Sequence, residues 1–257
     1  IAPMVGGWML VHVSWHGIFW FLAAVGVVLW LAIYRLLPET LHDSQRQHFH
    51  PRHLLAGYWK LGSDPRFFLL ALASGIPFNG MFLYILSAPV FLGEHLGLAP
   101  QQFFWCFLIT ISGIMGGALV SGRLAGKIAP KRQVRHGFVI MLMIAIINLA
   151  ANLAFTAHAG WALLPLGIFS FGWALMVPVV TLLVLDLHPE RRGMASSLQM
   201  FIGSTANGLV AGIVSPLVMH STVTLALASL TMLGVGLLAW LFIRHRWPEI
   251  GHTVSHA

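Results

Sequence analysis

Eight apolar runs separated by polar breaks leave this chain few ways to fold. They lie at 1–13 and at about 16–35, 67–92, 103–125, 137–157, 161–185, 195–219 and 222–243. A helix of roughly 20 apolar residues crosses the hydrocarbon core of a bilayer. There the backbone must satisfy its own hydrogen bonds, which a helix does within one segment. Seven runs are long enough to span, and the run at 1–13 reads as a span clipped at its start. The expected fold is therefore an all-α membrane protein. Charged residues make up 8% of the 257 and hydrophobic residues 58%. A soluble globular chain carries about 25% charged residues, so too little charge remains here to clothe a water-facing surface. The single cysteine, Cys106, cannot form an internal disulfide and reads as a small buried hydrophobe.

The 14 Lys and Arg residues then orient the spans. Arg35, Arg46, Arg52, Lys60 and Arg66 flank the break after the second run, and Arg123, Lys127, Lys131, Arg132 and Arg135 follow the fourth. Arg191 and Arg192 follow the sixth, Arg244 and Arg246 the eighth, and the alternate breaks have none. Positive charge is retained on the cytoplasmic side, which predicts a cytoplasmic C-terminus. Basic residues at helix ends meet anionic headgroups, so the net charge of +7 signals membrane lipid and not nucleic acid. The expected organisation is two helices at 1–35, a cytoplasmic central loop at 36–66, a six-helix bundle at 67–243 and a cytoplasmic tail at 244–257.

Side chains that carry chemistry are sparse. All seven acids (Glu39, Asp43, Asp64, Glu94, Asp186, Glu190 and Glu249) fall in breaks or at span ends, and so do the 14 His. Asp186 reads as a solvated helix end or a partner of Arg191 or Arg192. The cluster His48, His50 and His53, with His42 nearby, matches no zinc spacing. Pro51 interrupts any helix through it, and the stretch reads as a hydrated linker with no metal. No paired intramembrane acids and no GxSxG or HExxH motif are present, so no catalytic residue is assigned. A channel needs a ring of carbonyls or charges, and none is apparent.

Small residues recur at four-residue spacing, in Gly113, Gly117 and Ser121 and again in Ser204, Gly208, Gly212 and Pro216. Such stripes let helix backbones approach closely. Pro77 and Asn79 sit midway down the third span beside Phe78, Phe82 and Tyr84, and Pro178 lies in the sixth beside Trp173 and Met176. Asn79, Gln199 and Asn207 are able to donate to a ligand or bond between helices. Asn148 and Asn152 read as interhelical. Aromatic and Met surroundings suit a pocket for varied apolar ligands.

Ala2-Pro3-Met4-Val5-Gly6-Gly7-Trp8 resembles the G-P-x-x-G-G antiporter signature of the major facilitator superfamily, with Ala2 in place of Gly. With Trp15 and Ile18-Phe19-Trp20 it resembles the bicyclomycin-resistance (Bcr/CflA) family of drug:proton antiporters. Leu37-Pro38-Glu39-Thr40, the basic break from Gly122 to Arg132, and Gly193-Met194-Ala195-Ser196-Ser197-Leu198-Gln199 fit the same pattern. The basic break lacks that motif's usual acid.

The resemblance implies a fragment covering about helices five to twelve of a twelve-helix transporter in the bacterial inner membrane. It implies proton-coupled export of amphipathic drugs, bicyclomycin-like or chloramphenicol-like, by a monomer that uses the proton gradient and no cofactor. Metabolite or sugar efflux on the same scaffold is the alternative, with a channel or scaffold further behind. By resemblance, Phe78, Asn79, Phe82, Trp173 and Met176 line the cavity, and Pro3, Gly6 and Gly7 form the antiporter motif. Gly113, Gly117, Gly208 and Gly212 are placed at the interface between the two halves.

Overall fold

A computed structural model describes Met9 and residues 13–38 and 51–251. The antiporter-motif residues Pro3, Gly6 and Gly7, the first apolar run apart from Met9 and Val13, and His42, His48 and His50 lie outside the described residues. The chain divides into two compact units, residues 1–53 and 54–257. In the first, α1 (Trp15–Leu36) has no buried residue, and its apolar surface runs all round, as hydrocarbon solvation allows.

The second unit is a helical bundle. It comprises α2 (Pro51–Gly62), which starts at the boundary, then α3 (Pro65–Leu86), α4 (Phe104–Leu124), α5 (Pro130–Ala154), α6 (Leu164–Asp186), α7 (Arg192–Leu209) and α8 (Thr222–Arg246). Among the described residues, seven helices are long and apolar enough to cross a membrane. They coincide with the seven full-length apolar runs, and the all-α expectation is borne out.

Proline sets several of the boundaries. The expected linker contains α2, because Pro51 does not break this helix but opens it. At the first helical position the missing N–H is one the helix leaves unpaired anyway. Helix α5 starts at Pro130 for the same reason, ahead of the apolar run, and carries Lys131, Arg132 and Arg135 in helical geometry. The expected span 67–92 instead stops as α3 at Leu86 and resumes as a π-helical turn, Pro89–His95. The seventh run likewise passes from α7 through a π-helical turn, Val210–Val214, to a single turn at Ser215–Val218. Pro216 withdraws the donor that would close the regular ladder there.

Packing follows the small residues. Helix α6 lies against α4 and α5, and α3 pairs with α8. A Cβ on Gly113 would collide with the backbone oxygen of Gly167, and one on Gly117 with that of Phe171. These two glycines therefore serve an α4–α6 contact inside the second unit. Gly208 and Gly212 differ, because nothing stands within 4 Å of a Cβ built on either. The Pro77 ring fits because it faces Gly236 of α8, where no side chain intrudes.

Apolar packing holds Phe67, Val134, Met141, Leu233 and Trp240 at one level and Leu83, Phe91, Cys106, Leu163 and Leu225 at another. Lipid tails are as apolar as these side chains, so hydrogen bonds and close fit supply much of the specificity in a bilayer. Gln133, 2% exposed, donates to Ser121 Oγ at 2.7 Å and Leu175 O at 2.9 Å, joining α5 to α4 and α6. Asn148 Nδ2 donates to Tyr84 Oη at 2.9 Å, the expected interhelical bond, and Asn152 in turn donates to Asn148. Ser87 and Ser215 hydroxyls meet at 3.0 Å.

Candidate functional site

Three helices line an open cavity of about 330 Å³ in the second unit. Helix α3 presents Ala71, Ser74, Gly75 and Phe78, and α6 presents Trp173, Val177 and Thr181. Helix α7 adds Ser196, Gln199, Met200, Gly203, Ser204 and Asn207. Each set repeats at three or four residues, the spacing that gathers side chains on one helical face. Gly75 and Gly203 bring α3 and α7 close, since a Cβ on Gly75 would lie 3.6 Å from Gly203 Cα.

One corner of the cavity is aromatic. Phe78 and Trp173 lie with ring centroids 4.9 Å apart, and Phe82 stacks on Phe78 at 5.2 Å. The Trp173 indole N–H donates to Ser74 O at 2.9 Å, which ties the ring to α3 at the cavity wall. Another part of the wall is polar and uncharged. Gln199 Nε2 donates to Ser74 Oγ at 3.2 Å and to Thr181 Oγ1 at 3.4 Å, so one amide links all three helices. Asn207 Oδ1 is buried and accepts no hydrogen bond. None of the lining residues is ionisable.

The structure separates the residues expected at this site. Phe78 and Trp173 line it, with Gln199 and Asn207. Phe82 stands one turn further along α3, behind Phe78. Asn79 is fully buried and donates to Gly75 O at 3.2 Å, with Oδ1 unpartnered, off the cavity wall. Met176 is also fully buried and packs toward Gly137 of α5, off the cavity wall. The contribution of α7 is larger than expected. Its signal was present in sequence, because Ser196, Gln199, Gly203 and Asn207 recur at helical spacing along the seventh run.

Charge gathers instead at one end of the bundle. Asp64 caps α3 by accepting from Arg66 N at 2.9 Å and pairs with the Arg66 guanidinium at 2.9 Å. His188 Nε2, following α6, lies 3.4 Å from the same carboxylate, close enough for attraction when protonated but not hydrogen-bonded. Asp186 pairs with Arg192 at 2.9 Å, and both are exposed. Among the described residues no cluster of His, Cys, Asp and Glu is arranged to hold a metal ion.

Spanning helices gathered round an uncharged amphipathic cavity define a polytopic membrane protein. The chain belongs to the Major Facilitator Superfamily, whose model matches residues 1–212. It is 32% identical to an uncharacterized MFS-type transporter, YdgK, of Bacillus subtilis, over 85% of this chain and 54% of the relative. It is 26% identical to multidrug resistance protein D of Escherichia coli, over 99% of this chain and 63% of that protein. A bicyclomycin resistance protein homolog of Haemophilus influenzae is 20% identical over 96% of this chain and 62% of its own length. The chain thus spans just over half to about three fifths of the length of these relatives.

Proposed function

We propose that the protein is part of a secondary active transporter that exports amphipathic drugs from the bacterial cytoplasm in exchange for protons. The observation that carries this reading is the cavity between α3, α6 and α7, with its aromatic corner and its uncharged hydrogen-bonding wall. Phe78 and Trp173 offer ring faces to an apolar ligand. Gln199, Ser204 and Asn207 offer polar groups that fix its orientation. Relatives named for resistance to bicyclomycin, chloramphenicol and multiple drugs support the choice of ligand.

In this reading two helical bundles rock about a site near the bilayer midplane, opening it to one side at a time. Small uncharged side chains on α7 let that wall slide without breaking ion pairs. The cavity wall carries no carboxylate, so proton coupling is assigned to a group outside it. The Lys and Arg partition supports a cytoplasmic C-terminus.

The test uses inverted membrane vesicles from cells expressing the complete reading frame, with a fluorescent drug and a pH probe. Proton-gradient-dependent drug uptake together with drug-evoked proton release supports antiport. Absence of both across a broad drug panel overturns it. A second reading draws on the polar share of the wall, where Ser74, Thr181, Ser196, Gln199, Ser204 and Asn207 stand together. That density of hydrogen-bonding groups also suits a hydroxyl-rich metabolite. Competition by such compounds in the same vesicles, without competition by drugs, would select it.

A further inference from the structure

We propose that α2 is an interfacial helix whose Leu55 and Trp59 seat in the headgroup and upper acyl region of an anionic bilayer surface. One side of the helix is already committed to the bundle. Leu61 is fully buried. Gly57 lies so close to the end of the Met194 side chain that a Cβ would collide with it, and the Arg191 guanidinium is adjacent. The Tyr58 hydroxyl meets Ser197 Oγ at 2.8 Å. These partners stand at the start of α7, and α2 leads directly into Asp64, the cap of α3. The helix is therefore pinned to the ends of two spanning helices, which is the depth of lipid headgroups.

The other side has no protein partner in its unit. Leu55 is 71% exposed and Trp59 79%, one turn apart and so on the same face. Lys60 is exposed beside them. The sequence of α2 contains Arg52 and Lys60 and no acid. Trp is favoured at the membrane–water boundary, and an amphipathic helix with cations along its polar edge binds anionic surfaces by burial and charge together. An apolar ledge edged with positive charge, held at headgroup depth, matches a lipid surface and not a soluble acidic ligand. The inference rests on the chain being embedded in a membrane and is independent of what the cavity carries.

The test places an environment-sensitive bimane label on Leu55→Cys and, separately, on Trp59→Cys, each in a Cys106→Ala background. The chain is reconstituted in nanodiscs of phosphatidylcholine alone and of phosphatidylcholine with phosphatidylglycerol. A label at Leu119→Cys, an exposed position on α4, reports whether the bundle itself is embedded. The expected result is blue-shifted emission at both α2 positions, quenched more by lipids spin-labelled near the headgroup than near the chain end. Quenching should rise with phosphatidylglycerol, and Lys60→Gln should remove that rise. Water-like emission at both positions, with Leu119→Cys quenched by deep labels, overturns the proposal. A label shielded from spin-labelled lipid and aqueous iodide alike also overturns it, since protein then covers the ledge. Equal quenching in the two lipid mixtures overturns the choice of an anionic surface.

Discussion

Trp173 on α6 donates its indole N–H to the backbone oxygen of Ser74 on α3, 2.9 Å away. The bond fixes the ring against Phe78 and gives the cavity a rigid aromatic corner. Ser74 is shared, because its hydroxyl also accepts from Gln199 of α7. One residue of α3 thus ties both neighbouring helices to the cavity wall.

Trp173→Phe keeps a ring in place and removes the N–H. The lost bond ties α6 to α3 and contributes about 0.5–1.5 kcal/mol to stability, so drug transport should fall modestly as the ring loses its tether. Trp173→Ala, which removes the ring as well, should lower it further. Fluorescent-drug transport, normalised to membrane abundance on immunoblots, measures both. Equal transport by wild type and Trp173→Ala would remove the residue from the site.

Asn79→Leu tests the opposite kind of position. Asn79 is fully buried, off the cavity wall, and its Oδ1 has no partner. An unsatisfied buried acceptor is costly, so replacing the amide by an apolar side chain of the same branching should leave thermal stability little changed. Drug transport should change less than in Trp173→Ala. A transport loss equal to that of Trp173→Ala, at unchanged abundance, would place Asn79 back at the ligand.

The spans were legible in the sequence because bilayer thickness demands long apolar runs, and Trp15–Leu36 through Thr222–Arg246 follow those runs. Phe78 and Trp173 were legible because aromatics near a proline inside a span are conspicuous. Which face of a spanning helix points to a cavity was harder to read, since apolar residues surround such a helix on every side. Met176 and Trp173 are three residues apart on α6, yet one packs into the core and the other lines the cavity. Gly113 and Gly208 looked alike in sequence, and only their neighbours distinguish them. Helix α2 was hidden because Pro reads as a breaker unless it stands at the first helical position, as Pro51 does.

The contrast between glycines gives a stability prediction. Gly113→Ala and Gly117→Ala push a methyl into the backbone of α6, and overpacking of this kind costs about 1–3 kcal/mol. Gly208→Ala and Gly212→Ala have open space beside them and should stay within about 0.5 kcal/mol of wild type. Thermal unfolding in nanodiscs separates the pairs. Equal destabilisation of all four would mean that the second pair is also closely packed in the membrane.

Gln133→Leu should also destabilise. The substitution leaves Ser121 Oγ and Leu175 O without their donor in a buried site, at a cost of about 1–3 kcal/mol. Gln133→Glu should be worse, since its carboxylate brings charge and no N–H. Reduced membrane abundance with a lowered unfolding temperature is the expected readout, and an unchanged unfolding temperature in Gln133→Leu would show the network to be dispensable.

The last prediction concerns acid. Burial disfavours ionisation of Asp64, but hydrogen bonds from the Arg66 side chain and backbone, with the charges of Arg66 and His188, outweigh it. The carboxyl is therefore held below its ordinary value of 3.8. A depressed carboxyl contributes stability that is fully present above the ordinary value and is lost as pH falls through the folded one. Near neutrality, then, Asp64→Asn should lower the unfolding temperature modestly, because the amide can still accept from Arg66 N at the helix start but no longer carries charge. Asp64→Ala also removes the cap and should cost about 1 kcal/mol more. As pH drops below the ordinary carboxylate value, wild type should converge on Asp64→Asn. A gap between wild type and Asp64→Asn that stays constant into strong acid would show that the charge of Asp64 contributes nothing to holding the ends of α3 and α6 together.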